Sequence, residues 1–190
     1  MRWIIDPGHS SVEFAILHMA VAKTRGRFKQ LRGEIESSDE AEVGTPAPVS
    51  RAGGLQAVNL VIEAESIDTG DFRRDAHLTS PDFLDVARYP TLMYQSTRVD
   101  ALGDGRYLVR GDLTIRDRTR PIVLEVVTTS PVEDAEGGRR AGARAEAQIS
   151  RTEWGIDWNY PLPSGGLLVG DTVWFTIDVE AVASMSTTAR

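Results

Sequence analysis

Apolar and polar residues alternate along much of this chain, with the period of two that is typical of β-strands with one buried face. In the first such segment, Val12, Phe14, Ile16 and His18 share one face. Five later segments repeat the pattern, and their apolar faces are formed by Val58, Leu60, Ile62 and Ala64; by Tyr107, Val109, Gly111, Leu113 and Ile115; by Ile122, Leu124 and Val126; by Ala143, Ala145, Ala147 and Ile149; and by Val173, Phe175, Ile177, Val179 and Ala181. Such strands, separated by turns, predict an all-β protein whose antiparallel sheet closes into a barrel or packs as a sandwich.

The signals for helix are confined to one stretch, around residues 70–88. Asp68 or Thr69 is a suitable N-cap for a short helix. Ser80-Pro81 resembles an N-cap followed by proline at the first helical position, which predicts a second, brief helical turn ending before Tyr89. We therefore expect one short helical excursion in an otherwise β-rich chain.

The segments between the strands favour a single domain over residues 1–183, followed by a tail, 184–190, that is expected to fray. Residues 37–54 are rich in Ser, Gly, Pro and Ala and are predicted to form a loop with no assigned role. Pro7-Gly8 predicts a type II turn before the first long strand. A β-bulge is expected near Phe28, because the apolar residues that follow it change phase.

Composition narrows the function classes. The chain has 190 residues, 41% of them hydrophobic, and no cysteine, which excludes disulfides, thiolate zinc sites and thiol catalysis. Its formal net charge of −7 argues against nucleic acid as the main partner, since phosphate binding requires a basic face. No apolar run is long enough to span a membrane, and no leader pattern follows Met1, so a cytoplasmic location is expected.

The residues that could carry chemistry are few. The sequence contains no nucleophile elbow, phosphate-binding loop or HExxH zinc motif. The three histidines, His9, His18 and His77, would form a metal site with Asp6 or Asp75 only if the fold brought them together, and their spacing matches no local metal motif, so no metal is predicted. His18 shares the apolar face of its strand and is interpreted as facing the core or a ligand, whereas His9 and His77 are interpreted as structural hydrogen-bonding residues.

A small barrel either fills its interior with side chains or leaves space for a ligand. A cavity is favoured by the small residues on the presumed inward faces, namely Gly111, Ala143, Ala145 and Ala147. Alternating small and large residues also fill a tapered barrel, so both interpretations stay open. Because the residues on these faces are apolar, any cavity would be apolar as well. Its ligand would also be apolar, since burial of each methylene group contributes about 0.8 kcal/mol to the free energy of binding. Trp154 and Trp158 would either stack on such a ligand or plug one end of the barrel.

An ordered set of short motifs runs along the chain: Trp3, Asp6-Pro7, His9-Ser10, Gly26-Arg27-Phe28, Ser66-Ile67-Asp68-Thr69-Gly70, Arg74-Asp75-Ala76-His77-Leu78, Asp82-Phe83-Leu84-Asp85, Gly111-Asp112-Leu113-Thr114-Ile115-Arg116, Thr119-Arg120-Pro121, Ser150-Arg151 and Val169-Gly170-Asp171. In this order and spacing they resemble the YceI-like polyisoprenoid-binding proteins, over nearly the whole chain. The resemblance implies a lipocalin-like antiparallel barrel of about eight strands with an elongated apolar tunnel. It also implies a long isoprenoid lipid or quinone-like ligand and a homodimer, without a catalytic residue, cofactor or metal.

Strand parity then predicts the residues of the site. The tunnel is expected to be lined by Phe14, Ile16, His18, Leu113, Val126, Ala145, Ile149, Trp154 and Phe175. A lipid headgroup is expected to contact His18 or His77. Two alternatives remain: a packed barrel that acts through its surface or a dimer interface without a ligand, and an enzyme that uses His18 or His77 as a general base on an apolar substrate.

Overall fold

The β-strands predicted by the alternation form a continuous antiparallel sheet in the computed structural model, which describes residues 1–38, 54–163 and 165–184. Most of the predicted 37–54 loop and residues 185–190 of the predicted tail lie outside the described residues. The strands are β1 (Arg2–Ile5), β2 (Ser11–His18), β3 (Ala22–Phe28), β4 (Leu31–Ser37), β5 (Leu55–Glu63), β6 (Ile67–Asp68), β7 (Thr91–Gly103), β8 (Arg106–Ile115), β9 (Arg118–Thr128), β10 (Val132–Glu133), β11 (Arg139–Ser150) and β12 (Val169–Ala183), and the helix is α1 (Phe72–Thr79).

The sheet closes on itself as an eight-stranded barrel, which confirms the predicted fold class. The closure is the pairing of β11 with β12 along eleven residue pairs, from Arg140↔Val182 to Ser150↔Thr172. β1 and β2 pair in succession with the same side of β12 and together make one wall strand. The next strand of the wall likewise consists of two segments, β4, which pairs with β1, and β3, which pairs with β2. The strand after that consists of β5, which pairs with β4, and the short β6, which pairs with β3.

The wall bends where β3 passes into β4, close to the bulge predicted near Phe28. Lys29 and Gln30 leave the ladder, and their amides donate instead to the carbonyl and the hydroxyl of Ser66, at 3.1 Å each. The Ser66 hydroxyl in turn donates to the Glu63 carbonyl at 2.6 Å. Beyond this bend β6 pairs with β3 but not with β7 in the described sheet, and α1 with the turns after it occupies that end of the barrel, called here the helical end.

The helical excursion begins later than the sequence predicts. Asp71, rather than Asp68 or Thr69, caps α1, and its carboxylate accepts from the amides of Arg73 and Arg74. Asp68 instead accepts from the Gly70 amide at 3.0 Å, which closes the turn that leads into the helix.

The predicted second helical turn is also wrong. Ser80 is the C-cap of α1, and its carbonyl accepts from the amides of Phe83 and Asp85 in a series of turns. Asp85 has a φ of 48°, which ends any helical path through this segment.

The predicted type II turn at Pro7-Gly8 is a short 3-10 helix, Pro7–His9. The Asp6 carboxylate accepts from the Gly8 amide at 2.9 Å and holds this turn. A type II turn requires a positive φ at its third residue, and Gly8 is not among the residues with positive φ.

The core is densest at the waist of the barrel. Val12, Leu31, Val109 and Trp154 are each less than 2% exposed. The indole Nε1 of Trp154 donates to the Leu113 carbonyl at 3.1 Å, so its polar atom is satisfied inside the core. Cavities lie on either side of this waist and share no lining residue.

Candidate functional site

The larger of these two cavities lies at the helical end and has a volume of about 260 Å³. One wall is formed by β2, β11 and β12, and the other by α1, Phe83 and the segment around Trp158. Its surface is almost wholly apolar, with the strand wall contributing Phe14, Ile16, Ile149, Val173 and Phe175. We call it the helical-end cavity.

Cross-strand register brings these wall residues together. Ile149, Val173 and Ile16 are consecutive partners across β11, β12 and β2, so they form one row on the inward face. Phe175 and Phe14 form the next row, directly paired with each other. Because side chains alternate along a strand, these rows follow from the same parity that the sequence shows.

The structure divides the predicted site residues among three places. Phe14, Ile16, His18, Ile149 and Phe175 line the helical-end cavity, and so does His77. Val126 and Ala145 line the smaller cavity at the opposite end. Leu113 and Trp154 lie in the buried waist and line neither cavity.

The smaller cavity has a volume of about 130 Å³ and opens at the end of the barrel opposite α1. Trp3, Tyr107 and Ile177 contribute to its walls. The Trp3 indole donates to the Ser37 hydroxyl at 2.9 Å, which leaves its ring facing the cavity with its polar atom satisfied. Within the described residues, the barrel interior therefore has a cavity toward each end and is filled in the middle.

His77 lies at the rim of the helical-end cavity, on the inner side of α1. Its Nε2 lies 2.9 Å from Oδ2 of Asp82. Its ring meets the rings of Phe83 and Trp158 edge-on, at centroid distances of 4.9 and 4.6 Å. These contacts hold the imidazole in one orientation, with one face toward the apolar cavity.

Arg74 also lines this cavity and was not predicted as a site residue. Its Nε donates to the Thr69 hydroxyl at 2.7 Å and its Nη2 to the Thr69 carbonyl at 2.9 Å. Thr69 is itself held by Asp75, whose Oδ1 accepts from the Thr69 amide at 2.9 Å and from its hydroxyl at 2.6 Å. Asp75 thus fixes Thr69, and Thr69 in turn positions the Arg74 guanidinium at the rim of the cavity.

Arg151 is another charged lining residue that was not predicted as a site residue. It is only 4% exposed, and its guanidinium donates to the carbonyls of Gly170 at 2.8 Å, Trp158 at 3.0 Å and Ile156. These bonds fasten the segment after β11 to the start of β12. Burial lowers the pKa of the Arg151 guanidinium, against the opposing effect of Asp171 and Asp157.

The three histidines do not converge on a metal site. His18 and His77 both line the helical-end cavity, whereas His9 lies on the opposite side of β2, beside Asp6 and Glu180. Carboxylate oxygens of Asp6 and Glu180 and a ring nitrogen of His9 lie within 4.8 Å of one another. The Arg140 Nη1, however, donates to Asp6 at 3.1 Å and to Glu180 at 2.6 Å, so a guanidinium already occupies the cationic position between them.

The helices of the described residues include none that is long and apolar enough to cross a membrane.

Comparison with known proteins identifies relatives along most of the chain. A protein-family model described as YceI-like domain matches residues 3–181. A UPF0312 protein of Vibrio cholerae is 32% identical over 156 residues, which cover 81% of this chain and 77% of the relative. A UPF0312 protein of Yersinia pestis is 35% identical over 148 residues, which cover 78% and 71% of the two chains.

Solved structures share the fold. BcnA of Burkholderia cenocepacia matches with a TM-score of 0.72 and 20% identity, over 95% of this chain and 99% of that one. A polyisoprenoid binding domain from Saccharophagus degradans, implicated in plant cell wall breakdown, matches with a TM-score of 0.66 and 15% identity, over 96% and 98% of the two chains. These likenesses agree with the closed antiparallel barrel described above.

Proposed function

We propose that this chain, which belongs to the family of YceI-like domains, binds and carries an apolar isoprenoid lipid or quinone-like molecule inside its barrel, without catalysing a reaction on it. The observation that carries this proposal is the helical-end cavity, an internal space of about 260 Å³ with an almost wholly apolar surface. An empty apolar space of this size is costly to maintain in a core. A ligand that fills it recovers contacts that the protein itself cannot make.

The volume sets the length of chain that this cavity accepts. A dry apolar cavity of roughly 150 Å³ holds one benzene molecule, and the helical-end cavity is larger, at about 260 Å³. A chain on the order of ten carbons therefore fits within it, and its burial contributes about 0.8 kcal/mol for each methylene. A longer isoprenoid would have to part the waist side chains and continue into the second cavity of about 130 Å³.

Among the described residues, no hydrogen bond joins a hydroxyl that lines the helical-end cavity to one of its histidines, so the nucleophile–base pair of covalent catalysis is not formed there. The polar atoms of Thr69 are used to hold Arg74, and His77 is bound to Asp82. These arrangements support a binding role for the cavity.

The test is the ligand content of the purified full chain. Organic extraction followed by mass spectrometry identifies any bound lipid, and native mass spectrometry of the intact protein gives its stoichiometry together with the oligomeric state, including the proposed homodimer. We expect about one isoprenoid-type molecule per chain, or stoichiometric uptake of added isoprenoid if the protein is purified empty.

A matched pair of variants locates the ligand. Val173→Trp places a large side chain into the row shared with Ile149 and Ile16 and should abolish uptake. Val127→Trp adds the same ring on β9 at a residue that is 51% exposed, and it should leave uptake unchanged. If the unmodified protein neither retains nor takes up an isoprenoid, the result would instead support a packed barrel that acts through its surface. The filled waist of the barrel is the structural feature that favours this alternative.

A further inference from the structure

The titratable side chains that line the helical-end cavity are all basic. They are His18, Arg74, His77 and Arg151, and among the residues that the structure describes no Asp or Glu lines this cavity. The chain as a whole has the opposite balance, with 28 acidic residues against 21 Lys and Arg. Arg74 and Arg151 therefore place two positive charges at the cavity of an acidic protein.

Two acidic residues beside this rim, Asp75 and Asp82, are already engaged. Asp75 accepts two hydrogen bonds from Thr69, and Asp82 lies 2.9 Å from the Nε2 of His77. Neither of them forms an ion pair with Arg74. Among the described residues, the hydrogen bonds of the Arg74 guanidinium all go to Thr69 and use its Nε and Nη2, so its Nη1 is available to a ligand.

Arg151 contributes charge from within the wall. It is 4% exposed, and its hydrogen bonds go to backbone carbonyls, among them those of Gly170 and Trp158. A buried guanidinium without a bonded carboxylate is electrostatically unfavourable. Asp171 and Asp157 offset that cost in part, and an anionic ligand head would offset it further. The same charge would penalise a ligand with a cationic head.

From this arrangement we propose that the ligand is an amphiphile with an anionic oxyacid head, a phosphate or a carboxylate, which Arg74 binds at the rim while the apolar chain fills the cavity. The inference rests on the proposed function, since it assumes that the cavity takes an apolar chain. Arginine suits this role because its guanidinium donates charge-assisted hydrogen bonds to such a head, here from Nη1, and stays charged at all physiological pH values. Thr69 and Asp75 hold the guanidinium in place before the ligand arrives, which reduces the entropy lost on binding.

The experiment compares ligands that share one hydrocarbon chain and differ in their headgroup. Geranyl monophosphate and geraniol share one ten-carbon isoprenoid chain, and decanoate and decanol share one ten-carbon straight chain, so each pair matches the length that the cavity accepts and differs in the presence of an anionic head. Affinities for the unmodified chain are measured by isothermal titration calorimetry, below the critical micelle concentration of each anionic probe and below the solubility limit of each alcohol. We expect the anionic member of at least one pair to bind at least tenfold more tightly than its alcohol, and the pair with the larger ratio identifies the head as phosphate or carboxylate.

Variants on α1 assign the preference to Arg74. Arg74→Gln should reduce the anion-to-alcohol ratio to near one while changing the affinity for the alcohol less than twofold, and Arg74→Lys should keep part of the ratio. Arg73→Gln is the matched control, because Arg73 is the adjacent arginine, is exposed and does not line the cavity. It should bind like the unmodified protein. The unchanged affinity for the alcohol also shows that the Arg74→Gln protein is folded.

The outcomes separate this inference from the function on which it rests. If the alcohols bind as tightly as their anionic partners, or if Arg74→Gln leaves the ratio intact, the anionic head is excluded while the lipid-binding function stands. If neither member of either pair binds, the proposed function fails and this inference with it.

Discussion

Gly26 and Phe14 face each other across β3 and β2, and a Cβ atom added to Gly26 would lie 2.5 Å from the Cζ of Phe14. The same atom would lie 2.7 Å from the Cγ2 of Thr69. The Phe14 ring therefore lies over the bare backbone of β3 and contacts the Phe28 ring at a centroid distance of 5.6 Å. The absence of a side chain at Gly26 allows Phe14 to form part of the cavity wall.

Replacement of this glycine should disturb both the fold and the site. Gly26→Ala is expected to lower the free energy of unfolding by about 1–3 kcal/mol, because overpacking forces Phe14 or Thr69 out of position. Urea denaturation measures the change. Gly54→Ala is the control, since among the described residues its Cβ would meet only the Ser38 hydroxyl, at an ordinary 3.6 Å. Equal stability of the Gly26→Ala and unmodified proteins would contradict the close packing described here.

Ligand binding should be visible in the fluorescence of one tryptophan. Trp158 lines the helical-end cavity, whereas Trp174 lies under the ammonium of Lys23 at 4.0 Å. Trp158→Phe should therefore remove most of the fluorescence change that an added isoprenoid produces, and Trp174→Phe should preserve it. A full fluorescence response in the Trp158→Phe protein would place the ligand outside this cavity.

Arg151 is expected to be important for stability independently of any ligand. Arg151→Met would leave the carbonyls of Gly170, Trp158 and Ile156 without their donor in a buried setting. We expect the free energy of unfolding to fall by about 2–4 kcal/mol. Arg144→Met is the comparison on the barrel surface, where the exposed contact with Asp178 contributes little. Similar urea midpoints for these two variants would refute the structural role of Arg151.

The pair of His9 and Asp6 should make stability depend on pH. The Asp6 carboxylate, 2.9 Å from Nδ1 of His9, raises the pKa of His9 above its ordinary value of 6.5. A raised folded-state pKa means that the protonated histidine stabilises the native protein below pH 6.5, and that this contribution is lost as the pH rises through the folded-state pKa. The stability difference between the unmodified protein and His9→Gln should therefore be larger at pH 6 than at pH 9.

Asp6, the acidic partner, should make stability fall at low pH. Bonds from His9, Gly8 and Arg140 lower the pKa of Asp6 to about 2. Its contribution to stability is present above the ordinary value of 3.8 and is lost as the pH falls toward about 2. Nuclear magnetic resonance titration checks the coupling: the His9 ring should titrate above pH 6.5 in the unmodified protein and at a lower pH in Asp6→Asn. An unchanged His9 titration in Asp6→Asn would contradict the coupling.

The barrel and its inward face follow from the sequence because they depend on a local rule. Side chains alternate across a strand, so the parity of Phe14, Ile16, Ile149 and Phe175 is enough to direct them to the interior. The bend after Phe28 is likewise signalled locally, by a change of phase between neighbouring apolar residues. The turns and caps were predicted less well, because several Asp and Ser residues in each segment compete for the same capping positions.

Only the tertiary structure shows how far along the barrel axis each inward-facing residue lies. Val126 and Ala145 have inward parity like Phe175, yet they line the opposite cavity, because the position of a residue along the barrel axis depends on strand register and tilt. Leu113 and Trp154 fall at the filled waist for the same reason, joined by the indole bond to the Leu113 carbonyl. Arg74 and Arg151 have the character of surface residues in the sequence. The hydrogen-bond partners of these arginines, Thr69 and Trp158, are only five and seven residues away in the sequence. It is the barrel that brings α1 beside the end of β11 and the start of β12, so that both guanidiniums meet at one cavity, and no local pattern encodes that proximity.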